Sequence, residues 1–328
     1  MRTSDIIEYL GEHWTAVRTL MASGLSSDIE ILNHINASVL GHSGKMLRPM
    51  LCLLSAAVCG ADAAGWPNAE RFAAASELLH NATLFHDDVV DGSDERRGLP
   101  TVMSLVGGNA SVLIGDFWLV KAMECILSAS EYSEEVIRIF AKTLADLAQG
   151  EMLQMEKAGR GDTTEDDYYR IIYFKTTSLF ETAAVSGARA AHATGAKLEA
   201  IREYAVKLGY AFQIRDDMFD YSDGGDIGKP VGIDLKEQKI TLPLLLSLAA
   251  VPDGVAGDIR NKVCNIGEHP EYEPVVRAFV AERDGVGLSR KRLMQHIGEA
   301  KSALDIFPPS AARDFLVAMA DFVGERSV

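Results

Sequence analysis

Two aspartate clusters share one spacing. They are Asp87-Asp88-Val89-Val90-Asp91 and Asp216-Asp217-Met218-Phe219-Asp220, both of the form D-D-x-x-D. On a helix, residues i and i+4 lie on one face, with Cβ atoms roughly 5–6 Å apart. Asp87 with Asp91, and Asp216 with Asp220, can therefore reach a common point. Asp88 and Asp217 are turned about 100° away. Like charges at i,i+4 destabilise a bare helix, and a divalent cation relieves them. Magnesium suits the pattern, because it takes one or two carboxylates together with water and substrate phosphates. One such cluster could be an ordinary solvated helix end. Two in apolar surroundings, after Leu84-Phe85 and Phe212 with Ile214, point to metal binding.

Basic side chains in Gly- or Pro-containing segments supply a complementary set. They are Lys45 and Arg48 in GKMLRP, Arg96-Arg97 before Gly98, Lys175 before Thr176, Lys229 before Pro230, and Lys239 before Ile240. Each alone reads as a surface cation. Together they could receive phosphate, Arg by bidentate contacts and Lys as a point charge. His80 lies seven residues before Asp87, about two helical turns, on the same face.

The elements that must position these groups are helices. Apolar residues recur at three and four, as in Ile6, Leu10, Trp14, Val17 and Leu20, and in Val136, Ile139, Phe140, Leu144 and Leu147. Period-2 alternation is scarce. Thr164 followed by Glu165-Asp166-Asp167 predicts a capped helix start. Gly/Pro-rich breaks, among them Gly60–Pro67, Gly107-Gly108 and Ser222–Gly232, divide the chain into about ten to twelve helices. No low-complexity linker separates two halves, so one large all-α domain over residues 1–328 is expected.

Composition narrows the function further. The net charge of −15, from 47 acidic and 32 basic side chains, argues against nucleic acid as a partner. Cys52, Cys59, Cys125 and Cys264 form no C-x-x-C pair and read as buried thiols of a reducing compartment. The first residues, with Asp5 and Glu8, do not resemble a secretory leader. No apolar run reaches the roughly 18 residues of a membrane span. A cytoplasmic protein is expected.

The stretch Glu77–Thr101, ELLHNATLFHDDVVDGSDERRGLPT, closely resembles the first aspartate-rich region of the trans-isoprenyl diphosphate synthases. FQIRDDMFDY, Phe212–Tyr221, resembles the second. GKMLRP, Gly115-Asp116, GEMLQ (Gly150–Gln154), Lys175-Thr176 and GKPVGIDLKEQKITLP (Gly228–Pro243) follow the family's order. The resemblance implies a single helical bundle around a deep central cavity, usually a homodimer. It implies elongation of an allylic diphosphate by isopentenyl diphosphate through ionisation, condensation and proton loss. It also assigns residues. Asp87, Asp88, Asp91, Asp216, Asp217 and Asp220 would hold two or three substrate-bridged magnesium ions. Arg96, Lys175, Lys229 and Lys239 would contact the allylic diphosphate. Lys45, Arg48, His80 and Arg97 would hold isopentenyl diphosphate, and Thr176 and Gln213 would face the developing carbocation. The sequence departs from the family pattern at Ser43 and Met46, where Gly and Arg are frequent, and at Gln238, where Gly is frequent.

Product length has its own signal. Thr83 and Ala82, four and five residues before Asp87, are small where short-chain members carry aromatics, and Leu79 is only moderately bulky. An open tunnel implies long products of about C30–C50, as in the bacterial octaprenyl-type synthases that supply quinone side chains. Transient membrane contact would accompany release of such a product. A floor from another helix, through Phe117, Trp118 or Met152, would instead give a C20 product. A non-catalytic partner subunit or a terpene cyclase fits less well, because both aspartate clusters and the second set of basic residues are intact.

Overall fold

The computed structural model describes residues 3–42, 44–96, 98–221 and 232–325. Ser43, Arg97, Lys229 and nearly all of the Ser222–Gly232 break lie outside the described residues. The fold is all-α, as expected. Two short strands, β1 (Glu95–Arg96) and β2 (Leu99–Pro100), form an antiparallel ladder and are the only strands among the described residues.

The chain divides into two compact units. The first is Met1–Lys142 with Leu179–Glu203 and Leu304–Met319. It contains α1 (Thr3–Gly24), α2 (Glu30–Gly41), α3 (Leu47–Cys59), α4 (Gly65–Val90), α5 (Val102–Val106), α6 (Gly108–Leu127) and the start of α7 (Ser133–Arg160). Helix α4 packs against α1, α3 and α6. Every residue from Phe72 to Leu79 is therefore buried, Ser76 and Glu77 included, as expected of a helix surrounded by others. Three consecutive alanines, Ala73 to Ala75, let the neighbours approach. The edge of α4 nearest its C-terminus meets α6 at Gly115. A Cβ there would fall 2.4 Å from His86 Nε2 and 3.1 Å from the Ala82 carbonyl.

The second unit is Thr143–Ser178 with Tyr204–Ala303 and Ala320–Val328. It holds α8 (Glu165–Ile172), a π-helical turn (Tyr173–Thr177), most of α10 (Gly195–Phe219), α11 (Ile233–Lys236), α12 (Leu242–Leu248), α13 (Asp253–Cys264), α14 (Tyr272–Glu282) and α15 (Gly285–Ala303). Between the first two of its three segments the chain runs through α9 (Ser178–Ala190), and after α15 through α16 (Ala311–Glu325). Helix α12 is buried along almost its whole length and packs on α15, α14, α13 and α8. Each buried leucine of α12 contributes about 1.5–3 kcal/mol by leaving water.

Sixteen α-helices among the described residues exceed the ten to twelve expected. Most of the excess is in α5, α11 and α12, which are too short to show a period. The α8 start is as predicted. The Thr164 hydroxyl accepts from Asp167 N, and the Asp167 carboxylate accepts from Thr164 N, forming a capping box. The apolar stripes shift slightly. Met21 rather than Leu20 completes the buried face of α1, after a bend at Gly11. On α7 the buried positions are Val136, Phe140, Thr143, Asp146 and Gly150, while Ile139, Leu144 and Leu147 are half-buried. Polar groups thus face inward along α7, where a hydrophobic count places leucines. Only Cys52 of the four cysteines is fully buried; the other three are half-buried. Burial pushes the Cys59 thiol up to about 12. No helix among the described residues is long and apolar enough to cross a membrane.

Candidate active site

The first aspartate cluster ends α4. Asp91 is the C-cap, and its N–H donates to the Asp87 carbonyl at 2.8 Å, so Asp87 and Asp91 keep their helical i,i+4 relation. Asp88 is turned inward and buried, and its Oδ1 accepts from Arg96 Nε at 2.8 Å. Arg96 lies on β1, and the short ladder holds it there. The Thr101 hydroxyl closes the same loop by donating to the Ser93 carbonyl at 2.7 Å. Arg96 is thus an anchor of the first cluster.

The second cluster ends α10, with Asp220 one residue past the helix. Its three aspartates differ in surroundings. Asp216 is partly exposed, with its Oδ1 3.5 Å from Arg215 Nη2. Asp217 is buried and receives two donors, Tyr168 Oη at 2.6 Å and Gln213 Nε2 at 2.8 Å. Gln213 Oε1 in turn accepts from the Thr176 hydroxyl at 2.7 Å. Asp220 Oδ1 accepts from Ile233 N at 2.8 Å, while its buried Oδ2 has no hydrogen-bond partner among the described residues.

A fourth carboxylate, Asp234 on α11, joins this group. Burial raises the Asp217 carboxyl well above the usual carboxylate range, Asp234 adds to the rise, and the bonds from Tyr168 and Gln213 oppose it. Burial and the nearby Asp220 push Asp234 up to about 6, against the pull of Lys239. Burial also raises Asp220, against backbone N–H donors from Ile233, Asp234 and Gly232. Crowded, buried carboxylates with one orphaned oxygen fit a hard divalent cation. No three acidic, histidine or cysteine groups among the described residues converge as an all-protein metal cage. The arrangement suits magnesium, which leaves most of its shell to water and phosphate.

Beside these carboxylates lies a cavity of about 140 Å³ lined by Lys157, Lys175, Lys239, Gln154, Tyr168 and Gln213, among others. Lys175 and Thr176 sit on the π-helical turn, a rare geometry often found at functional sites. Two glycines clamp that turn. A Cβ at Gly150 of α7 would fall 2.8 Å from Phe174 Cβ and 3.0 Å from Lys175 N. A Cβ at Gly209 of α10 would fall 2.9 Å from Thr177 Cα. Lys175 Nζ is 2.7 Å from Glu151 Oε2, and Lys239 pairs with Glu237.

Most of the remaining expected residues lie in the first unit, with Met152 and Gln238 in the second. Lys45 and Arg48 flank the start of α3, and the Arg48 guanidinium stacks 4.9 Å from the centre of the Phe180 ring. His80 is half-buried on α4, and its carbonyl accepts from the Thr83 hydroxyl at 2.9 Å. Leu79 and Ala82 are fully buried, while Thr83 is half-buried. Trp118 is buried, edge-on to Phe85 at 5.3 Å, and donates to Asn36 Oδ1 at 2.8 Å. Met152 is 66% exposed within this chain. Met46 adopts a left-handed conformation and is buried, with its sulfur accepting from Arg18. Gln238, at φ 61°, occupies backbone that favours glycine, and its amide donates to the Cys264 carbonyl at 2.9 Å.

Sequence reasoning missed Tyr168 and Lys157, and gave Glu151, Gln154 and Asp234 only as motif members with no role. Asp234 is fourteen residues beyond Asp220, outside any helical spacing. Tyr168 is seven residues before Lys175, and no spacing rule gives a tyrosine there a carboxylate partner.

The polyprenyl synthetase family profile matches residues 29–269. The chain belongs to the polyprenyl synthetase family. It is 34% identical to the octaprenyl diphosphate synthase of Escherichia coli (strain K12), over 99% of each chain. A decaprenyl diphosphate synthase from Rhodobacter capsulatus has a solved structure similar to this polyprenyl synthetase at a TM-score of 0.90 and 32% identity, covering 99% of each chain. A polyprenyl synthase from Caulobacter crescentus CB15, complexed with calcium and isoprenyl diphosphate, gives a TM-score of 0.88 at 32% identity, covering 99% of this chain and 98% of that one.

Proposed function

We propose that this polyprenyl synthetase extends farnesyl or geranylgeranyl diphosphate with isopentenyl diphosphate to an all-trans polyprenyl diphosphate of about C30–C50. The observation that carries this reading is the second cluster, where buried aspartates, with Asp220 Oδ2 unpartnered among the described residues, stand beside a lysine-lined cavity. Carboxylates and lysines so placed suit a diphosphate carried with a cation. Similarity to octaprenyl and decaprenyl synthases supports the long product.

Two or three magnesium ions, when bound, neutralise diphosphate charge and make it a leaving group. Asp87 and Asp91 in the first cluster, and Asp216 and Asp220 in the second, would hold such ions, while Asp88 and Asp217, engaged with protein donors, orient each its own cluster. Lys175, Lys239, Lys229 and Arg96 take the allylic diphosphate oxygens. Lys45, Arg48, His80 and Arg97 take isopentenyl diphosphate. The allylic C–O bond breaks, the isopentenyl double bond supplies the electrons of the new C–C bond, and the proton passes to the departing diphosphate. The Thr176–Gln213 pair presents its oxygens to the cation and needs no protein nucleophile.

The whole chain acts as one synthase domain, in the cytoplasm, as a homodimer. Its product serves quinone side chains and leaves by transient membrane contact. The exposed apolar side chains Leu105, Leu113, Val120 and Leu127 on α5 and α6 supply a face for the second copy. Asp87→Ala and Asp216→Ala should each lower turnover by roughly 10²-fold or more while the fold persists. Unimpaired turnover in both variants refutes the metal assignment.

A further inference from the structure

Glu151 is absent from the cavity lining, yet it holds two residues that line it. Its Oε2 accepts from Lys175 Nζ at 2.7 Å, and its Oε1 accepts from Gln154 Nε2 at 3.2 Å. The carboxylate is mostly buried, at 20% exposure, so water screens the pair only partly. The contact is built into the backbone. Gly150 lets α7 approach the π-helical turn to a distance that no side chain at that position would allow, which brings the next residue, Glu151, against Lys175.

We propose that Glu151 is a positioning residue that tempers the affinity of Lys175 for diphosphate. The inference rests on the reading of Lys175 as a diphosphate contact. A lysine ammonium has three donors. Glu151 occupies one and aims the other two, and its charge offsets part of the attraction that Lys175 exerts on phosphate oxygens. An enzyme that repeats one condensation many times must release pyrophosphate after each cycle. A lysine held without a counter-charge would retain it. Gln154, tied to the other oxygen, keeps the carboxylate from rotating into the cavity. The pair thus trades affinity for release, and the device lies entirely within the second unit.

The test is calorimetric titration of the full-length protein with inorganic pyrophosphate in magnesium chloride, using wild type, Glu151→Gln, Lys175→Gln and the double variant. Circular dichroism and melting confirm that each is folded; Glu151→Gln preserves shape and the bond to Gln154. Glu151→Gln is expected to bind pyrophosphate roughly 3- to 10-fold more tightly than wild type, and to show stronger product inhibition by pyrophosphate. In the Lys175→Gln background the same substitution should change nothing. Unchanged or weaker binding by Glu151→Gln overturns the proposal. An equal gain in both backgrounds also overturns it, because the effect would then be a general loss of negative charge. If Lys175→Gln alone binds pyrophosphate as wild type does, the reading of Lys175 falls, and the proposal with it.

Discussion

Two adjacent residues of α4 should respond differently to the same enlargement. Thr83 and Leu79 share a face with Asp87, about 6 Å and 12 Å before it along the helix axis. Ala82 is on the neighbouring face, where its carbonyl lies 3.1 Å from the place a Cβ on Gly115 would occupy. Thr83 is half-buried and spends its hydroxyl on a local bond to the His80 carbonyl. Thr83→Phe loses that bond alone and should cost less than about 1 kcal/mol. Its ring should close the tunnel one turn below the aspartates, shortening the product from C30–C50 to C20 or less. Ala82 is 1% exposed. Ala82→Phe must displace packed neighbours and should cost about 1–3 kcal/mol by overpacking, lowering the melting midpoint by several degrees. The assay is mass analysis of dephosphorylated products alongside thermal melting. An unchanged product ladder from folded Thr83→Phe refutes the path along this face. A stable Ala82→Phe refutes the packing reasoning.

Other residues give smaller, sharper tests. Tyr168→Phe removes a 2.6 Å bond to buried Asp217, and should raise the magnesium concentration needed for half-maximal turnover with less effect on KM for isopentenyl diphosphate; an unaltered magnesium dependence counts against it. Gln238→Ala keeps the left-handed strain and loses the bond to Cys264, so chemical denaturation should show a loss of about 1 kcal/mol. Gln238→Gly relieves the strain as it loses the bond and should fall near wild type; equal losses in the two variants would show that strain contributes nothing. Burial works to raise the Asp167 carboxyl, but Lys157 and Thr164 outweigh it and hold the group at about 2. Its folded-state pKa is below its unfolded one, so its stabilisation is complete above about pH 4 and disappears as pH falls toward 2. Asp167→Ala should therefore melt below wild type at neutral pH, by about 1 kcal/mol, and converge with it near pH 2. A constant gap across that range would contradict the assignment.

Much of this site was readable from residue type and spacing. The i,i+4 aspartates, the α8 cap and the helical class follow from local rules, because helix geometry repeats within a few residues. The glycines of Gly115-Asp116 and GEMLQ were visible as motif members, but their reason was not. Each is where one backbone meets another far along the chain. The π-helical turn under Lys175 was invisible for the same cause, since Gly150, 25 residues before Lys175, and Gly209, 32 residues after Thr177, impose it through packing. The Tyr168–Asp217 bond spans 49 residues, beyond the reach of any periodicity. The inward-facing Thr143 and Asp146 of α7 show the converse, where an apolar count misplaces a face that is polar within the fold.

The central claim is long-chain prenyl transfer. The direct measurement is incubation of the purified protein with farnesyl diphosphate, labelled isopentenyl diphosphate and magnesium, followed by dephosphorylation and mass analysis of the products. A ladder ending between C30 and C50 is expected, and it disappears when magnesium is chelated. A ladder stopping at C20 would contradict the open tunnel, and no elongation by folded protein would contradict the function itself.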